Sequence, residues 1–242
     1  MRFVWWLIAA LFASFSLQAQ SLLPNGGFEE MRACPGNVGG LELATGWYRV
    51  DQTPDLFSRC AAPSALGVPA NYMGVQAARQ GDAYIGLVLF YRQKNLALRD
   101  NYTVEESVTT NLRLPTQAGK RYNFSCWYCI ADSSDFYATT LTLTLGSGGS
   151  NNQAQYVSIP LQAPVAHTWV PLTLTFVATG KWSSMTFGCS RQVFSMTDFR
   201  RGLHNQTWRK KDEQRKQDKN ACYYYFDQFE LYSIANSTLQ KQ

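Results

Sequence analysis

Four stretches of this chain alternate with a period of two. In Arg121–Ile130 (RYNFSCWYCI), Tyr122, Phe124, Cys126, Tyr128 and Ile130 share one side. In Ala138–Gly146, Leu141, Leu143 and Leu145 lie opposite a row of threonines. Val170–Ala178 (VPLTLTFVA) alternates in the same way, and Cys222–Tyr232 (CYYYFDQFELY) reads as an aromatic strand. Successive side chains of a strand point to opposite faces, so each pattern describes a strand with one side on a core. Turn-forming runs separate them: PTQAGKR, GSGGSNN and ATGKW. Outside the basic run described below, no stretch has the helical period over a useful length. Many short strands without intervening helices predict an all-β fold, a β-sandwich of jelly-roll type.

The N-terminus predicts the compartment. MRFVWWLIAALFASFSLQAQ has one cation (Arg2), an apolar run from Phe3 to Ala13 and small residues near Ala19. That is the plan of a secretory signal peptide, residues 1–19. The expected organisation is then a single domain over 20–236 and a tail at 237–242. The protein is expected to be exported, to the periplasm, the outer membrane or the cell surface. Six cysteines in an exported chain predict disulfides. Cys189 and Cys222 bracket the basic segment and are expected to pair and clamp its base; Cys126, on the apolar side of its strand, is expected to stay a buried thiol, and Cys129 is left unassigned.

Charge is concentrated in one place. Arg200–Asn220 holds eight cations and three anions, which accounts for the net charge of +5. The segment reads as a loop or surface helix inserted between two strands, with Arg209, Lys210, Lys211 and Arg215 as candidate partner-binding residues. Clustered cations attract anionic polymers or an acidic protein surface at long range. Nucleic acid is not expected, because stacking aromatics are missing from the segment apart from Trp208.

No nucleophile, base and oxyanion donor fall into a catalytic pattern, so the chain reads as non-enzymatic. Glu29 and Glu30 are adjacent and would face opposite ways on a strand, which does not suit a glycosidase pair. His167 and His204 have no partner at zinc or catalytic spacing, and the lone CWYC of Cys126–Cys129 is a weak metal signal. Sugar recognition would need exposed flat aromatics beside polar groups. Trp127, which alternates away from the apolar side of its strand, is the first candidate; Tyr91, Arg92 and Tyr137, near loop ends, are the others.

Several segments together resemble one group of exported domains. LLPNGGFEEMRACP, LATGWYRVDQTPDLFSRC, GVPANYMGVQAARQGDAYIGLV, LRLPTQAGKRYNFSCWYCIADSS and CYYYFDQFELYS follow one another as in the N-terminal domains of Bacteroidota-type OmpA-family outer-membrane proteins. The resemblance implies a galactose-binding-like jelly roll, the architecture of many carbohydrate-binding modules. It implies that LLPNGGFEE forms the first strand and that Trp47 and Trp169 are packing residues. It also implies a Cys34–Cys60 disulfide and one structural Ca²⁺ held by Glu29, Asp82 and Asp227. The chain ends near its last strand, so a peptidoglycan-binding C-terminal domain is not expected. The expected function is a non-enzymatic envelope module binding a glycan. The alternative is an accessory subunit that docks on an outer-membrane protein through the basic segment.

Overall fold

The structure is a computed structural model that describes residues 20–94, 101–134, 137–147, 153–189 and 221–234. The expected signal peptide, the basic segment 200–220 and the tail lie outside the described residues. The strands are, in chain order, β1 (Trp47–Asp51), β2 (Asp55–Ser58), β3 (Ala70–Asn71), β4 (Gly74–Val75), β5 (Ala83–Lys94), β6 (Asn101–Val104), β7 (Ser107–Asn111), β8 (Arg121–Ile130), β9 (Thr140–Gly146), β10 (Ala154–Pro160), β11 (Val170–Val177), β12 (Ser184–Gly188) and β13 (Ala221–Ser233). One short 3₁₀ turn, Gly40–Leu43, precedes β1.

The strands form a jelly-roll sandwich. One sheet runs β1-β7-β12-β9-β10, and the other runs β11-β8-β13-β5-β2, with β6 paired to β5. All the pairings are antiparallel. The alternation read from the sequence sets which side chains meet between the sheets. Tyr122, Phe124, Cys126, Tyr128 and Ile130 of β8 share one core with Leu141, Leu143 and Leu145 of β9 and Met185 and Phe187 of β12. Phe187 touches Phe124, Phe226 and Phe229, with ring centroids 5.0–5.7 Å apart, at distances where aromatic pairs attract.

β13 is buried on both sides, and this explains its aromatic run. Cys222, Tyr224 and Phe226 enter the inter-sheet core. Tyr223 and Tyr225 enter a second core with Phe57, Leu66, Met73, Tyr84 and Cys129. That second core lies under the long 59–82 excursion, which carries the β3–β4 hairpin across the outer side of the sheet.

The opening segment corrects an expectation. It forms no strand: Asn25 and Phe28 hold φ of 43° and 61°, outside the β region. The Asn25 side chain donates to the carbonyls of Glu30 and Thr45 and accepts from the Glu30 N–H. Phe28 is thereby turned into the core against Trp47 and Phe229. Trp47 packs as expected, 1% exposed. A Cβ on Gly26 would stand 1.9 Å from the Phe229 carbonyl oxygen, so only glycine lets this segment approach the β13 bulge.

Cys34 and Cys60 form the expected disulfide, with Cα atoms 5.8 Å apart. Cys189 and Cys222 do not: both are thiols. Each packs on the inter-sheet core, Cys222 from within its own strand, and burial drives both thiol pKa values up. Bracketing a segment in sequence does not set the Cβ directions that a disulfide needs. Cys126 is a buried thiol, as expected, and the buried Cys129 thiol donates to Gln76 Oε1.

Candidate functional site

The outer side of the five-stranded sheet carries one continuous row. Tyr48 pairs with Thr109, Thr109 with Thr186, Thr186 with Thr144, and Thr144 with Tyr156. Paired residues of an antiparallel ladder share a face, and the neighbours of these five (Trp47, Val108, Met185, Leu143, Leu145, Val157) belong to or pack on the core. The row therefore faces outward. Thr186 donates its hydroxyl to Thr109 Oγ1 at 3.0 Å, and Thr109 donates to the Met185 carbonyl at 3.1 Å. Tyr48 is 51% exposed and Tyr156 72% exposed, one on each edge strand of the sheet. At about 4.8 Å per strand, the four steps place the tyrosines ~19 Å apart. Two exposed aromatic faces with a hydroxyl floor between them can stack on flat rings and hydrogen-bond to polar groups at their rims.

The ligand residues expected from sequence are spread apart. Trp127 does alternate outward on β8, but it is half-buried, and the Arg79 guanidinium lies 4.1 Å over its ring. One ring face is therefore already taken by a cation–π contact. Tyr137 packs against the inter-sheet core, on the opposite side of the sheet. Tyr91 pairs with Ala221, six β13 residues from the Asp227 that pairs with Trp127. At about 3.3 Å per residue these positions are ~20 Å apart. The side chain of Arg92 lies outside the described residues, as do Arg209, Lys210, Lys211 and Arg215. Trp169 is half-buried against the second core and donates its ring N–H to Ala77, the structural role expected for it. His167, which has no partner at zinc or catalytic spacing in the sequence, faces Asp132 at 3.3 Å, and its Nδ1 lies 3.1 Å from the Val75 carbonyl oxygen.

Of the three carboxylates expected to bind calcium, two meet at one loop. Glu29 Oε1 accepts the N–H groups of Asp82 and Ala83 at 2.9 and 3.0 Å. Asp227 Oδ2 accepts those of Arg79 and Gln80 at 3.0 and 3.2 Å, and Oδ1 accepts that of Gln228. Asp227 is fully buried. Desolvation pushes its pKa up to about 7, against the pull of these hydrogen bonds, and the Glu29 charge adds to the rise. Gly81, with φ +70°, lets the loop pass; a Cβ there would stand 2.2 Å from Glu29 Oε1. Asp82 turns away and pairs with Arg59 at 2.8 Å. Among the described residues, no three His, Cys, Asp or Glu side chains are grouped as metal ligands. Two of the three expected carboxylates thus meet at the loop, where backbone N–H groups occupy their oxygens, and the site falls one carboxylate short of the expected calcium set.

Two further acids are buried away from both places. Asp55 accepts from Tyr72 and Tyr223, each at 2.5 Å, and from the Gly39 N–H at 2.7 Å. Glu106 accepts the N–H groups of Thr53 and Val88. Burial raises both pKa values, that of Glu106 to about 7. These acids tie β2, β5, β7 and β13 together.

No protein-family model and no curated protein matches the chain. The resemblance to OmpA-associated domains therefore rests on the sequence segments alone. Solved structures of similar chain course exist. One is TmCBM61 in complex with beta-1,4-galactotriose: 12% identity over 89% of this chain and 100% of that one, TM-score 0.43. Another is the CBM22-1 xylan-binding domain from Paenibacillus barcinonensis Xyn10C: 14% identity over 89% and 96%, TM-score 0.44. A third is the K1 cleaved adhesin domain of Lys-gingipain from Porphyromonas gingivalis: 10% identity over 79% and 92%, TM-score 0.37. At these values the likeness transfers no ligand and no site residue to this chain.

Proposed function

We propose that this protein is an exported, non-enzymatic glycan-binding module of the cell envelope, and that the ligand lies on the outer side of the five-stranded sheet. The observation that carries the reading is the Tyr48–Thr109–Thr186–Thr144–Tyr156 row. A protein-binding surface concentrates apolar residues at its centre and polar ones at its rim. This row has the reverse order, hydroxyls at the centre and aromatic rings at the ends. That order matches a sugar chain, whose ring faces are apolar and whose edges carry hydroxyls. Trp127 takes a packing role in this reading.

Glu29 and Asp227 would supply the carboxylate ligands of one Ca²⁺, in place of backbone N–H groups they now accept; Asp82 would join only by releasing Arg59. The ion would neutralise two neighbouring carboxylates and tie the N-terminal segment to β13. Chelation should then lower the melting temperature, and no shift on chelation would remove the ion from the account.

The deciding experiment is a glycan and envelope-polymer array probed with the wild type, Tyr48→Ala and Tyr156→Ala, in calcium. A specific signal that both variants lose supports the reading. A blank array from folded protein overturns it and favours the accessory-subunit alternative, in which Arg209, Lys210, Lys211 and Arg215 dock on an acidic partner. Neutralising those four should then release the protein from the envelope fraction.

A further inference from the structure

The rows on either side of the tyrosine–threonine row narrow the ligand further. Toward one end of the strands, Asn111 pairs with Ser184, Ser184 with Gly146 and Gly146 with Ala154. Toward the other, Asp51 pairs with Ser107, Ser107 with Gly188, Gly188 with Thr142 and Thr142 with Ser158. The flanking positions across the three central strands are thus small or short and polar. The Asn111–Ser184–Gly146 flank is open, whereas on the Asp51 flank Gly188 and Thr142 are buried. The one Asp, Glu, Lys or Arg side chain in the three rows is Asp51, at the β1 edge, and it opposes an anionic ligand.

We propose that this face binds an internal stretch of an uncharged polysaccharide that runs across the strands, with Tyr48 and Tyr156 stacking on two sugar rings about four units apart. The inference rests on the glycan reading above and specifies its substrate class. The two tyrosines stand on opposite edge strands, so a mono- or disaccharide reaches only one of them. A chain of about five units, whose first and fifth rings lie about four units apart, spans the ~19 Å between them and gains the second stacking contact. The hydroxyls of Thr109, Thr186 and Thr144 meet the units between. Both ends of the row open at sheet edges, so nothing there recognises a chain terminus. Neighbouring strands are rotated by roughly 20° from one to the next, which suits a chain that turns from unit to unit over a rigid slab.

The length and charge requirements are tested by calorimetric titration of the purified protein. The probes are soluble β-1,4-linked oligomers of glucose, xylose, galactose and mannose, one to six units long, with oligogalacturonate as the anionic probe. For whichever neutral series binds, affinity should rise about tenfold between two and five units and then level off, one stacking contact being worth about that much. Tyr48→Ala and Tyr156→Ala should each lower hexamer affinity about tenfold and remove the gain with length. Their melting temperatures should stay at the wild-type value, since both side chains are exposed. Equal affinity for dimer and hexamer, with both variants still weakened, would overturn the internal-chain inference and leave glycan binding at this face intact. Oligogalacturonate bound as tightly as the neutral series would overturn the charge argument. Hexamer binding untouched by both variants would overturn the site. No binding to any oligomer by a folded protein would overturn the glycan reading itself.

Discussion

The Tyr223 hydroxyl donates to Asp55 Oδ2 at 2.5 Å, joining the central strand of the six-stranded sheet to its edge strand. Both groups are fully buried, and Tyr72 donates to the same oxygen from the 59–82 excursion. A carboxylate in such a place needs every donor it has. Tyr223→Phe keeps the ring in the second core and removes one donor. Urea denaturation should show a loss of about 1–3 kcal/mol, the usual cost of leaving a buried polar group short of a partner. The Tyr72→Phe and Tyr223→Phe losses should not add, because the two hydroxyls share one acceptor.

Gly86 on β5 controls the same contact. A Cβ at that position would stand 2.0 Å from the Tyr223 hydroxyl oxygen and 2.6 Å from the Phe57 ring. Gly86→Ala forces Tyr223 off Asp55 and opens the ring cluster. A loss above about 3 kcal/mol, or failure to fold, is expected. A stability within 1 kcal/mol of wild type, as flagged by roughly unchanged urea midpoints, would mean that the cluster repacks freely.

Stability should depend on pH in an unusual direction near neutrality. Glu106 and Asp227 have pKa values raised to about 7, chiefly by burial. Folded protein then holds their protons more tightly than the unfolded chain does, so stability is full below the unfolded carboxylate range. It falls as pH rises toward 7 and is flat above. Each group contributes on the order of 3 kcal/mol to that fall. Melting temperatures measured from pH 4.5 to 8 should drop, and Glu106→Gln should flatten its share of the drop while lowering the acidic baseline. Calcium bound at Glu29 and Asp227 should remove the Asp227 share, because the ion favours the ionised carboxylate.

Trp127→Ala should separate packing from binding. The ring lies under Arg79, whose N–H also holds Asp227. Truncation should cost about 1–3 kcal/mol through lost packing and the lost cation–π contact. Any glycan affinity should be unchanged. A protein of wild-type stability that no longer binds sugar would return Trp127 to the ligand site.

Reduction of Cys34–Cys60 frees a loop of 26 residues' separation. The unfolded chain gains entropy, and the urea midpoint should fall by the equivalent of about 3 kcal/mol.

Much of this architecture was legible in the residues. The period-two runs gave β8, β9, β11 and β13 almost to their ends, and the inward sides of β8 and β9 are the ones the pattern names. The resemblance supplied the Cys34–Cys60 pairing and the burial of Trp47. Alternation determines which side chains share a face because strand geometry is local. It does not say what lies over that face. Only the tertiary structure decided that the excursion 59–82 covers one outer face and that Arg79 lies over Trp127. Tyr48 and Tyr156 escaped notice for the same reason. Each is an aromatic at an outward position of a strand, but strands far apart in sequence had to pair through three others before the two became the ends of one row. Sheet register depends on long-range pairing, so it set the candidate site, while the local pattern set the fold class.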